Sequence, residues 1–431
     1  MVDMNTPTAL AITISALVAG SSLLVLGCGT DVLDARTDGD AASGTGSTSG
    51  SSGSGGSSGS TGTGGMDCSE KVPCTPTFLG PIAAGGEHAC AVTATGALKC
   101  WGSSSEGQLG NGTQMYSTSA VPVEVISAGV ASITTGGLHT CATTMKGEVT
   151  CWGSNFWGQL GVGSTTKSLV PESVPGLSGS RALTAGDFHT CAITDAGGVT
   201  CWGWNNDGQL GSAAGEKSLV PLAVKSLSSG VVALAAGLDY TCALTAAGGV
   251  KCWGGNSLGE LGNGTTTASV VPVDVTTLTS GVVAIAGGSQ HICALTAVST
   301  VECWGSNSWG QLGSSGGPQS LIPFAVAGLP SGVVALAAGA AHTCALTSSG
   351  EVLCWGWNAW GQFGNGTTTG STAPTAVTGL SAKAISIAAG GAFTCAVLAS
   401  GGVDCWGYNA TGQLGDGTLN NSQAPVHVVG F

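Results

Sequence analysis

Fourteen cysteines form seven pairs with nine residues between partners: Cys90 and Cys100, Cys141 and Cys151, Cys191 and Cys201, Cys242 and Cys252, Cys293 and Cys303, Cys344 and Cys354, Cys395 and Cys405. Thiols in that pattern support two chemistries, oxidation to disulfides or ligation of a soft metal. Zinc usually takes four ligands at close spacing, and these pairs recur about fifty residues apart. The His-x-Cys segments, such as His88-Ala89-Cys90 and His139-Thr140-Cys141, place an imidazole beside a thiol. Tyr240 and Phe393 hold the same place in the fourth and seventh copies, which favours packing over ligation. No metal site and no cofactor are therefore expected. Cys68 and Cys74 read as an eighth pair, which leaves Cys28 alone among the 17 cysteines. Zincin and Walker motifs are absent, and the acids show no repeated pairing. No catalytic residue is assigned, and the chain reads as a non-enzyme.

The elements that must position these cysteines follow from the repeat. Cys-Trp-Gly recurs at Cys100, Cys151, Cys201, Cys252, Cys303, Cys354 and Cys405, in steps of 51, 50, 51, 51, 51 and 51 residues. A period that strict means one supersecondary unit, copied and stacked. Between Cys344 and Cys354, the turn Ser348-Ser349-Gly350 closes a hairpin with a bulge. Counting outward, Thr347 faces Glu351, Leu346 faces Val352, and the two cysteines lie directly opposite at a non-hydrogen-bonded site. The Cα atoms of such a site sit about 4.5 Å apart, close enough for a disulfide. Each such bond contributes roughly 2–3 kcal/mol at most. Ser299 replaces the turn glycine in the fifth copy. One unit reads as four strands: Val231–Ala236, Thr241–Thr245, Gly249–Trp253, and an edge strand at Val273. Charged residues are only 8%, Gly numbers 75, and no stretch keeps a helical period. The fold class is all-β, a seven-bladed propeller with four-stranded antiparallel blades.

Trp152-Gly-Ser-Asn155-Phe-Trp-Gly158-Gln159-Leu160-Gly161-Val-Gly163 resembles the signature of the regulator of chromosome condensation repeat, as do Trp304–Gly313 and Trp406–Gly417. The resemblance runs from about Phe78 to Phe431, with departures at Ser104 for Asn, Glu260 for Gln, Phe363 for Leu and Ala213 for Gly. In structural terms, the glycines permit tight turns, the Gln and Asn amides satisfy loop backbone groups, and the Trp after Cys fills the space between blades. The founding eukaryotic member exchanges guanine nucleotide on a small GTPase. The features below point instead to the secreted bacterial subgroup, which includes a β-lactamase-inhibitory propeller, and that implies protein binding by a loop-bearing face.

Ala9 to Leu26 is apolar or small, and Leu23-Leu24-Val25-Leu26-Gly27-Cys28 resembles a bacterial lipobox, without the basic residues that usually precede it. Three readings stay open: a lipoprotein signal with Cys28 acylated, an uncleaved membrane anchor, or a plain secretory signal. The expected organisation is a signal at 1–27, a Gly/Ser/Thr-rich tether at 28–66, a Cys-containing lead-in at 67–77 and the propeller at 78–431. Residues 41–65 are all Ala, Ser, Gly or Thr, a coil with a reach of roughly 25–30 Å. The expected location is the cell envelope, with the membrane touched only through the N-terminus. Net charge is −13, which disfavours nucleic acid. The ring is expected to be monomeric, with Lys71–Thr75 a candidate edge strand beside Pro425–Val429.

A ring carries equivalent positions of every copy on one face, so variable positions mark candidate recognition residues. Phe156, Trp157, Trp204, Trp309, Trp357, Trp360 and Tyr408 occupy such positions in the loop after Cys-Trp-Gly. They support three readings: packing on the adjacent blade, docking of another protein, or stacking of a carbohydrate on a surface polymer.

Overall fold

The computed structural model describes residues 81–113, 117–213 and 215–431. The signal, the tether, the Cys68–Cys74 pair, Cys28 and the Lys71–Thr75 strand all lie outside these residues.

Every regular element among the described residues is a β-strand, and the strands form seven four-stranded antiparallel sheets, each in simple sequence order. The fourth sheet comprises Val231–Ala236, Tyr240–Thr245, Val250–Gly254 and Ser269–Asp274, within a residue or so of expectation except for a longer outer strand. Each sheet is a blade. The innermost strands, Ile82–Ala84, Val130–Thr135, Ala182–Ala185, Val231–Ala236, Val282–Gly287, Val333–Ala338 and Ala384–Ala389, neighbour one another in turn, and the last neighbours the first. The ring is closed, and among the described residues no blade draws strands from both ends of the chain.

The seven intra-blade disulfides form as read from the spacing. Cys344 pairs in register with Cys354 and Leu346 with Val352. The Cα atoms of that pair are 4.1 Å apart. Ser299 adopts a φ of 62°, the left-handed conformation that glycine takes at the equivalent turns.

The register between the third and fourth strands of every blade slips across the Cys-Trp-Gly step. Gly203, at φ 102°, shows why glycine follows the tryptophan: an added Cβ would lie 2.5 Å from the Phe188 carbonyl oxygen. The seven tryptophans are fully buried. Each indole N–H crosses to the preceding blade and donates to the backbone carbonyl at the Gln position. Trp152 donates to Gln108 at 3.0 Å, and Trp202, Trp253, Trp304, Trp355 and Trp406 reach Gln159, Gln209, Glu260, Gln311 and Gln362. Trp101 of the first blade donates to Gln413 of the seventh at 2.9 Å. The closing interface therefore uses the same bond as the other six.

A second lock explains the histidines. His88, His139, His189, His291 and His342 are fully buried, and each Nε2 lies 2.8–3.0 Å from a Thr hydroxyl of the next blade: Thr140, Thr190, Thr241, Thr343 and Thr394. Those hydroxyls donate to the same Gln-position carbonyls, 2.8–2.9 Å away. A hydroxyl has one proton, so it accepts from His Nε2–H, and each Nδ1 is left a bare acceptor with no partner. Burial pushes all five imidazoles down to about 3, so they stay neutral. Unfolding frees them to bind protons, and the ring loses stability as pH falls from about 6.5 toward 3.

Where the next blade lacks the hydroxyl, the imidazole is replaced as well. Tyr240 faces the blade bearing Ile292 and donates to backbone carbonyls there, including Gly288 at 2.9 Å. Phe393 packs in one apolar cluster with Ala89, Ile82 and Trp101 across the closing interface.

Two tests follow from these contacts. Alkylation in denaturant before reduction should label none of the fourteen propeller cysteines, and free thiols there would overturn the disulfide pairing. Thr394→Ala strands the His342 donor and should cost about 1–3 kcal/mol in chemical denaturation. The double variant His342→Phe/Thr394→Ala copies the Phe393–Ala89 pairing and should recover about 1 kcal/mol of that.

Candidate functional site

In an antiparallel meander, the first and third connections of a blade emerge at one end and the hairpin at the other. The third connection, which carries the aromatic positions, therefore shares a face with the Gly-x-x-His turns. Backbone bonds tie the two together in each blade: the Trp204 N–H donates to Phe188, Trp357 to Ala341 and Tyr408 to Ala392.

The framework holds the aromatic residues from below. The Gln159 side-chain oxygen accepts the Trp157 backbone N–H at 3.0 Å, and Gln311 and Gln362 do the same for Trp309 and Trp360 at 2.9 Å. Asn155 accepts the Leu160 N–H and donates to the Ser164 and Thr166 carbonyls, which ties down the loop beside it. Ser104, which replaces that Asn in the first blade, is too short for this. Its buried hydroxyl has no partner.

All seven candidate aromatics lie on this face, and they meet across blade boundaries. Trp157 lies 5.8 Å from Trp204, Trp309 lies 6.0 Å from Trp357, and Trp360 lies 5.0 Å from Tyr408, as ring centroids. In each pair, the residue before the central Gly of one blade meets the residue before the Asn position of the next. Phe156 packs edge-on against Trp157 at 5.0 Å. Of the paired rings, Trp309 (58%) and Trp360 (39%) are exposed, as is the adjoining Phe156 (68%), while Trp157, Trp204, Trp357 and Tyr408 are half-buried.

Sequence reasoning missed two members of this surface. Phe188, in the Gly-x-x-His turn, packs edge-on against Trp204 at 5.9 Å. Lys217, at the start of an outer strand, places its ammonium 5.9 Å from the Phe156 ring and 5.8 Å from the Trp157 ring. Comparing the turn and outer-strand positions between copies, as was done for the third connection, would have exposed both.

The acids are also less scattered than the sequence suggests. Asp187, Asp207, Asp239 and Glu260, from the third and fourth blades, lie close enough to repel one another. Asp187 is fully buried with neither carboxylate oxygen partnered, and burial, with Asp239 beside it, pushes it well above its ordinary value. Burial first and Asp207 second push Asp239 up to about 6. Burial takes Glu260 up to about 7, although one of its oxygens accepts the Leu258 N–H at 2.8 Å. Glu260 thus stands in for Gln with its carboxyl shifted toward the protonated form. Among the described residues, no group of three or more His, Cys, Asp or Glu side chains is arranged to hold a metal ion.

A cleft of about 550 Å³ opens on this face between the fifth and sixth blades, lined by Ser308, Trp309, the Gly316-Gly317-Pro318 turn and Gly370.

The RCC1-like domain matches residues 182–430, and regulator of chromosome condensation (RCC1) repeats match residues 82–108, 96–143 and 146–193. The chain belongs to this family. It is 32% identical over 342 residues to the ultraviolet-B receptor UVR8 of Arabidopsis thaliana, covering 78% of this chain and 66% of that one. It is 33% identical over 309 residues to the E3 ubiquitin-protein ligase HERC2 of Homo sapiens, covering 70% of this chain but only 5% of the ligase. Among solved structures, Prp20p from Saccharomyces cerevisiae superposes with a TM-score of 0.66 at 25% identity, covering 77% of this chain and 85% of that one. Human WBSCR16 superposes at 0.70 with 23% identity, covering 77% and 94%.

An acid with a raised folded value costs stability once the unfolded chain ionises and the fold resists doing so, so the cost of Asp187 is absent below about its ordinary 3.8 and grows as pH rises. Asp187→Asn should therefore melt higher than the parent at pH 8, with the gap closing toward pH 4. A gap independent of pH would refute the buried-acid assignment.

Proposed function

We propose that this member of the RCC1-like family is an exported, lipid-anchored, non-catalytic scaffold that captures another protein on the aromatic face of its ring. The observation that carries the reading is the set of three inter-blade aromatic pairs, held by framework amides, with Trp309 and Trp360 open to solvent. Buried surface around Trp and Tyr supplies most of the binding energy at protein interfaces, and large exposed apolar groups gathered on one face are otherwise a liability. The yeast structure is described together with binding of Prp20p to Gsp1p and histones. That supports a propeller of this kind as a protein-binding platform and leaves the partner of this chain open.

Export is supported by different features. Seven disulfides suit an oxidising compartment. The apolar N-terminal run, Leu26-Gly27-Cys28 and the uncharged stretch at 41–65 suit a tethered envelope lipoprotein of a bacterium. A surface of net charge −13 suits neither chromatin nor other nucleic acid.

Two measurements test the reading. A cross-linked partner recovered from the native envelope should be lost from Trp309→Ala/Trp360→Ala, with thermal unfolding unchanged. Recovery undiminished by the double variant would remove the aromatic face from the proposal. Incorporation of a fatty-acid analogue should vanish in Cys28→Ser, and labelling that persists would rule out the lipid anchor at that residue.

A further inference from the structure

Two adjacent rings of the second blade, Phe156 and Trp157, already face a cation, the Lys217 ammonium of the third blade, at 5.9 and 5.8 Å. The repeat allows that arrangement to be carried round the ring. Counted from each blade's Cys-Trp-Gly, Phe156, Trp157 and Lys217 correspond to Ser308, Trp309 and Gly370. Those three residues line the cleft of about 550 Å³ between the fifth and sixth blades. The cleft thus lies at the repeat position that Lys217 holds between the second and third blades, with no side chain from Gly370 to fill it.

Gly370 cannot be the site of an internal substitute. An added Cβ would lie 2.8 Å from the Gly356 carbonyl oxygen, a backbone atom that cannot move aside freely. Trp309 keeps its indole turned to solvent, with Trp357 packed behind it at 6.0 Å. An aromatic face attracts an ammonium through its quadrupole, more strongly as the cation sheds water. The surrounding molecule is acidic, with 23 Asp and Glu against 10 Lys and Arg.

We infer that the cleft formed by Ser308, Trp309 and Gly370 takes a lysine ammonium from a basic segment of the captured protein, in the way Lys217 occupies the equivalent place. The inference rests on the aromatic-face reading above and specifies the partner's chemistry at one point of it.

The test uses the full chain and a blocked Gly-Lys-Gly-Lys-Gly peptide at 0.15 M salt, where charges more than about 8 Å away are largely screened. The peptide should bind saturably and shift the Trp309 indole resonance. Trp309→Ala should weaken binding at least about 5-fold, and the peptide with both lysines acetylated should not bind measurably. Lys217→Ala should add a second, equivalent site by vacating Phe156 and Trp157. Absence of binding by the parent protein, equal affinity in Trp309→Ala, or equal binding of the acetylated peptide would each overturn the inference. The two readings fail separately. If capture of the native partner still depends on Trp309 and Trp360 while the peptide does not bind, the cation site is wrong and the docking face stands. If the peptide binds while partner capture ignores those residues, the cleft takes an ammonium but not the captured protein's, and the docking-face reading falls.

Discussion

One hydrogen bond, repeated seven times, organises the molecule: the indole N–H of each blade's buried tryptophan donates to a backbone carbonyl of the blade before it. The carbonyl belongs to the residue whose side chain also fixes the loop above, Gln in six blades and Glu260 in the remaining one. A buried indole that lost this acceptor would keep an unsatisfied donor at a cost of about 1–3 kcal/mol. The ring therefore closes only in a register that satisfies all seven. Trp101 and Gln413 close the first blade on the seventh with no special device.

That constraint reaches the surface through a short chain of contacts. The Gln carbonyl holds the neighbouring blade, and the Gln side-chain oxygen holds the backbone of the residue two positions earlier. In three blades that residue is tryptophan, and in each case the next blade supplies a second aromatic ring against it. The indole–carbonyl bond is the same in blades without the pair. The aromatic residues thus vary on a scaffold whose inter-blade indole bond does not change, and the acidic cluster of the third and fourth blades is a second such local variation.

Blade number, strand order, disulfide pairing and fold class were legible because they depend on spacing alone. Cys344 opposite Cys354 follows from counting a hairpin, and the seven-bladed ring from seven copies spaced 50 or 51 residues apart. The seven aromatic candidates were legible as positions but not as pairs. Which ring meets which depends on the offset between adjacent blades, and no count along one blade contains it. The His–Thr lock was half visible: Tyr240 and Phe393 stood out as exceptions, yet Ile292 and Ala89 had to be seen across the interface to explain them. Lys217 and the convergence of Asp187 with Asp239 went unread for the same reason, since their partners lie one blade away.

The twelve tryptophans divide into seven that lock the ring and five, Trp157, Trp204, Trp309, Trp357 and Trp360, that form its aromatic face. Hydrogen exchange of the indole N–H groups, followed by NMR on tryptophan-labelled protein, reads both sets at once. The account predicts seven indoles that exchange only with global unfolding, Trp101 as slowly as the rest, and five that exchange at once. Exchange of Trp101 well ahead of the other six would mean that the first and last blades are not joined as described, and would contradict the account.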